Sequence, residues 1–185
     1  LVGALVPVGT ATAAPAPPGD LDRTAVPVRM DRAAVPPGCQ PADDAFRPTS
    51  IKIPKVVGRT RVLARGRDRS GVPKAPPLTG RGKWQLAWDR TVQANARWDV
   101  VRLTAHTYPT SKGLALGNRL LARLRTGQVL VVSGPRGARV CYRVIRRASV
   151  PAGRSFRPYY SSGPHRLGII VCSGVRRGPG DWSRR

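Results

Sequence analysis

Trp98 to His106 reads WDVVRLTAH, and its alternation decides what kind of chain this is. Successive side chains of a strand point to opposite faces, so Val101, Leu103 and Ala105 fall on one side and Arg102 and Thr104 on the other. The stretch predicts a half-buried strand that ends at a histidine. RLGIIVC, Arg166 to Cys172, predicts a second, buried strand that ends at a cysteine. Working outward, SIKIPKVV (Ser50 to Val57) and RTRVLARG (Arg59 to Gly66) carry the β-branched alternation of strands. Gln128 to Val150 predicts two more around a turn at Gly134 to Gly137. Leu114 to Gly127 is the one clear helix: Leu116, Leu120, Leu121 and Leu124 recur at helical spacing, Asn118 can cap, and Gly127 follows the last turn. Gly66 to Gly80 reads as loop. Mostly antiparallel β structure with a short helix points to a closed barrel or a sandwich.

The 185 residues suffice for one domain, and the 41% apolar fraction for one packed core. Prolines crowd the first 48 residues, among Ala and Val that keep no period, so residues 1–48 read as linker and 49–185 as the domain. The opening LVGALVPVGTATAAPAPP resembles the end of a signal peptide, and the end of an anchor helix upstream of Leu1 would look the same. Both imply export.

The net charge of +24 suggests an anionic partner, yet 28 of the 33 cations are arginines scattered without a long run. No nucleic-acid-binding motif is present, so the charge implies non-specific attraction to anionic polymer and no specific nucleic acid partner. All nine acidic residues are aspartates, which excludes glutamate-based chemistry. Neither a calcium loop nor zinc-ligand spacing occurs, so no metal or other cofactor is expected.

A nucleophilic cysteine needs a histidine or a cation to favour its thiolate. His165 stands seven residues before Cys172, about 23 Å away along a strand at roughly 3.3 Å per residue, and cannot serve. His106 ends another strand, and two strand ends can meet at one rim. SGVRRGPGDW, after Cys172, has the glycines and proline of a loop that folds back and returns Arg185 to the cysteine. Taken singly, Cys172 is equally an inert buried thiol, His106 a hydrogen-bonded rim residue and Arg185 a solvated charge. Their ordered combination is what carries the chemistry.

That combination resembles the sortases, cysteine transpeptidases of Gram-positive cell surfaces: LTAHTY matches the histidine motif, IIVCSG the strand-end cysteine and GDWSRR the Trp-x-x-Arg of the arginine. The resemblance runs from about Thr49 to the end and, with the Arg-rich composition and PADDAFRPTSIKIP, is nearest to the actinobacterial class F sortases. It departs where the family commonly has Thr-Leu-x-Thr before the cysteine, for here stand Gly168, Ile169, Ile170 and Val171, and where Ala105 replaces a glycine.

The resemblance implies a mostly β, sortase-like closed barrel with one or two short helices, and His106, Cys172 and Arg185 as catalytic residues. It implies thioacyl transfer, with cleavage of the Thr-Gly bond in LPXTG-like C-terminal sorting signals at the outer face of the membrane or in the wall. The acceptor would be an amine of a peptidoglycan cross-bridge or of lipid II. It further implies a strand after Arg185, so the natural chain is expected to continue with a short apolar β-branched run that makes it more stable and more active. Export favours a Cys39–Cys141 bridge with Cys172 free, two unpaired thiols being the alternative. The competing class is a non-catalytic basic β-domain that binds anionic wall polymer or nucleic acid. Trp84, Trp88 and Trp98 are expected to pack on the core or barrel wall, with a sugar platform as the other reading.

Overall fold

The computed structural model describes Cys39 and residues 42–109, 111, 113–154, 157–160, 162–179 and 181–185. The expected signal or anchor remnant and most of the linker, residues 1–38, lie outside the described residues.

Among the described residues, nine strands and two short α-helices follow one another: β1 (Ser50–Ile53), β2 (Gly58–Ala64), β3 (Leu86–Trp88), β4 (Val100–Ala105), α1 (Leu116–Arg123), β5 (Val129–Ser133), β6 (Arg139–Arg143), α2 (Arg157–Tyr160), β7 (Arg166–Val171), β8 (Ser173–Gly178) and β9 (Asp181–Arg184). The first seven strands form one sheet in the order β6-β5-β1-β2-β3-β4-β7, and β8 and β9 pair separately. The sheet curls into a nearly closed barrel. Its two edges approach where the Tyr142 hydroxyl, on β6, meets His165 Nε2, just before β7, at 2.7 Å. Burial keeps both groups neutral: it pushes the Tyr142 phenol up to about 12, against the opposing Asn95 N–H, and lowers His165 against nearby carbonyls of Trp98 and Asp99.

The core is the inward row of each strand. Ile51 and Ile53 of β1, Leu86 of β3, Leu103 of β4 and Val132 of β5 are fully buried, and α1 closes one side with Leu116 and Leu120. Ile51, Ile53, Leu103 and Val132 stand at alternate positions of strands read from the sequence, Leu86 lies outside those readings, and β4 is buried on both faces where a half-buried strand is expected, whereas β7, expected buried, is half-buried.

Several readings need correction. The SIKIPKVV strand stops at Ile53, because Pro54 has no N–H for the ladder and Val56 and Val57 turn back onto the Ile53 carbonyl. The helix is shorter than expected, since its chain becomes extended at Leu124. The segment after Cys172 is not an irregular loop: Ser173 pairs with Arg184 and Gly178 with Asp181, an antiparallel hairpin despite its glycines. Trp88 is buried and Trp84 packs partly against the core, whereas Trp98 is 66% exposed and does not pack inward. β3 and α2, of three and four residues, are too short for a periodic signal.

Cys39 and Cys141 form a disulfide across 102 residues of chain, and Cys172 is the free cysteine among the described residues. Closing a loop of about a hundred residues restricts the unfolded chain by up to ~4 kcal/mol. Thiol titration of the unreduced, unfolded protein is therefore expected to find one reactive cysteine; three would show that the bridge does not form.

Candidate active site

The site begins with a ladder. β4 and β7 run parallel, with Arg102 opposite Gly168, Thr104 opposite Ile170 and Ala105 opposite Val171. Val101, Leu103 and Ala105, with Leu167, Ile169 and Val171, face the core. Arg102, Thr104, Gly168 and Ile170 therefore line the outer face. One step beyond the last pair come His106 and Cys172, on neighbouring chains that lie roughly 4.8 Å apart in a sheet.

This end of the ladder is tied down from three sides. Thr107 Oγ1 donates to the Cys172 carbonyl at 2.7 Å, which joins the two chain ends directly. From α1, Gly117 N donates to the His106 carbonyl at 2.8 Å, and a Cβ at Gly117 would overlap that carbonyl and Thr107 Oγ1. Glycine is required by close approach. Asn118 Oδ1 accepts from the N–H groups of Ala115 and Tyr108, both at 3.0 Å, and Asn118 Nδ2 donates to the Tyr108 carbonyl at 2.9 Å. The residue read as a helix cap thus sits inside the first turn, where it satisfies the Ala115 N–H and also holds the chain that follows His106.

The β8–β9 hairpin brings back the third residue. With Ser173 opposite Arg184, continuation of the antiparallel register sets Arg185 across from Cys172. Arg185 is not a loose end, for its N–H and carbonyl both pair with Val150 at 2.9 Å. Arg184 adds Nε to Ser149 Oγ at 2.8 Å. The return of the chain, expected from its composition, is achieved by strand pairing.

Burial pushes the Cys172 thiol above its ordinary value, and the Arg185 guanidinium pulls it partly back. The resting thiol is consequently protonated near neutral pH. His106 Nε2 lies 2.6 Å from the Pro76 carbonyl and its ring 5.8 Å from that of Tyr108. His165 is engaged with Tyr142 at the barrel joint, in agreement with its exclusion from the site.

The departure at Gly168 has a steric cause. A Cβ there would come within 2.7 Å of Tyr159 Cδ2, so the ring of the buried Tyr159 occupies the place a threonine side chain would need. Arg102 fixes Tyr159 and α2: its Nε donates to the Tyr159 carbonyl at 2.7 Å and Nη2 to the Tyr160 carbonyl at 3.0 Å. Neither contact is visible in sequence, because Tyr159 lies in a segment without periodicity.

A shallow hollow of about 330 Å³ lies against Ser173, the residue after Cys172, and is lined by Thr107, Tyr108, Asn118, Leu121 and Trp182, among others; His106, Cys172 and Arg185 are not part of its lining. A larger hollow of about 730 Å³, between residues 42–46 and 135–139, holds no histidine or cysteine. Comparison with protein-family models found no match, and neither did a search of curated proteins.

Alkylation of Cys172 is expected to accelerate with pH up to and past the ordinary thiol range near ~8.5, because the thiolate reacts and burial disfavours it. Arg185→Ala removes the opposing cation and slows alkylation at any fixed pH; an unchanged rate would place the guanidinium out of reach. Gly168→Thr is expected to cost ~1–3 kcal/mol in urea unfolding by overpacking against Tyr159. Unchanged stability would show that the ring yields freely.

Proposed function

We propose that the protein is a sortase-like cysteine transpeptidase acting on exported proteins. The observation that carries this reading is the registered meeting of three chain ends: His106 after β4, Cys172 after β7 and Arg185 after β9. The resemblance of LTAHTY, IIVCSG and GDWSRR to the sortase motifs supplies the substrate class.

In the first half-reaction, Cys172 passes its thiol proton to His106, and Sγ attacks the carbonyl carbon of the Thr-Gly bond in an LPXTG-like sorting signal. Arg185 stabilises the oxyanion or holds the substrate backbone, the C–N bond breaks, and His106 protonates the departing glycine amine. A thioacyl enzyme remains. In the second half, an amine of a peptidoglycan cross-bridge or of lipid II attacks the thioester, the C–S bond breaks, and His106 accepts the amine proton and returns it to the departing Cys172 sulfur. Two easier steps replace one difficult amide exchange. Water in place of the amine gives slow hydrolysis. Because burial raises the thiol, attack draws on a minority of thiolate or on proton transfer during attack, which makes the Arg185 charge important to the rate.

Fluorogenic sorting-signal peptides, with and without an amine acceptor, test the reading. Cys172→Ala should abolish cleavage, and His106→Ala and Arg185→Ala should each lose on the order of 10² or more. Wild-type turnover in Cys172→Ala would sink the assignment.

A second reading draws on charge: no acidic residue occurs between Val100 and Gly180, although arginines are frequent there. A purely polyanion-binding domain would bind with an affinity that falls steeply with salt and would be indifferent to Cys172→Ala.

A further inference from the structure

The segment between β2 and β3 crosses the outer face of β4 beside the histidine. Thr104 Oγ1 donates to the Lys74 carbonyl at 3.0 Å, and His106 Nε2 stands 2.6 Å from the Pro76 carbonyl. Thr104 and His106 are two apart on one face, and so are the two carbonyls that receive them. A carbonyl has no proton to give, so Nε2 must be the protonated nitrogen in this contact.

The segment is built to hold that place. Pro73, Pro76 and Pro77 fix their own φ, and the residues before them, including Ala75, are steered to extended backbone. At one end Lys74 N donates to the Gly66 carbonyl at 3.0 Å, and Arg67 reaches the buried Asp89 carboxylate with Nη2 at 2.7 Å. At the other end Thr79 N donates to the Pro77 carbonyl at 2.9 Å and Thr79 Oγ1 accepts from Gly82 N at 3.0 Å. Gly82 is needed there, since a Cβ would overlap the Pro77 carbonyl.

We infer that Lys74–Pro76 is a rigid strap that fixes the imidazole of His106 with its proton on Nε2, leaving Nδ1 as the nitrogen that takes up and returns protons, and that Thr104 is the positioning residue that sets the strap in register. This rests on the reading of His106 as acid and base. Ala75 and the prolines contribute no side-chain chemistry; what the strap supplies is a carbonyl at a fixed place, with little conformational freedom left to lose.

Nitrogen-resolved NMR of the imidazoles in the full chain tests it without substrate, with His106→Gln identifying the signal against His165. The neutral His106 ring should carry its proton on Nε2, with slowed exchange of that proton. In Thr104→Val, and in a Pro76→Gly/Pro77→Gly double variant, exchange should quicken by roughly two- to tenfold, the value of one hydrogen bond, and Thr104→Ser should restore it. Peptide kcat should fall by a similar factor with KM unchanged. If one variant fails to fold by circular dichroism, the other decides. A proton on Nδ1, or unchanged exchange in a folded variant, overturns the strap; absent turnover with the expected ring spectrum would instead overturn the proposed function and leave the strap standing.

Discussion

Everything at the candidate site depends on β4 and β7 running in the same direction. Two parallel neighbours end at the same rim, so a histidine after one and a cysteine after the other meet with no further device. Antiparallel pairing would send them to opposite rims, about 17–20 Å apart for strands of this length. Parallel neighbours need a long crossover, and here it is the chain from His106 to His165, which holds α1, β5, β6 and α2. The crossover is not mere connection: its first helix grips His106 and Tyr108, and its last holds the tyrosine that lies on Gly168.

A buried charged cluster keeps the outer face of that ladder in order. Asp89, fully shielded from solvent, receives Arg67 at 2.7 Å and Thr91 Oγ1 at 2.8 Å, with Arg102 Nη1 at 3.8 Å. Such groups are expensive to desolvate, so the cluster is a poor source of stability but a strict source of geometry. Arg102 spends its remaining donors on α2, which couples the ladder to the segment covering it. The strap joins the same cluster through Arg67. The groups on both sides of the outer face thus share one carboxylate.

How much of this was legible in the sequence follows from what has a period and what does not. Arg102 to His106 alternates and Leu167 to Val171 is a run without a polar residue, and both patterns survive in sequence, so both strands and the site they end in can be read. Their mutual direction could not, since pairing between distant segments leaves no local mark. The hairpin after Cys172 looked like loop because Gly174, Gly178 and Pro179 advertise turns, while its pairing comes from backbone groups of any residue. The strap reads as loop for the same reason. Its prolines were visible, but the use of two backbone carbonyls was not, for a carbonyl is common to every residue. Cys39–Cys141 was favoured by the expected export, and the structure has it.

The placement of that disulfide also determines how the domain bears mechanical load. Tension on the chain preceding Cys39 does not peel β1 from the sheet; it passes through the sulfur–sulfur bond into β6. β6 is one edge of the sheet, paired with β5 from Val129–Arg143 to Ser133–Arg139, and that ladder takes up part of the load. Across the nearly closed barrel, Tyr142, next to Cys141, also meets His165 just before β7 at 2.7 Å, so tension on the N-terminal segment is divided between the β5–β6 ladder and the joint that leads to the cysteine-bearing strand.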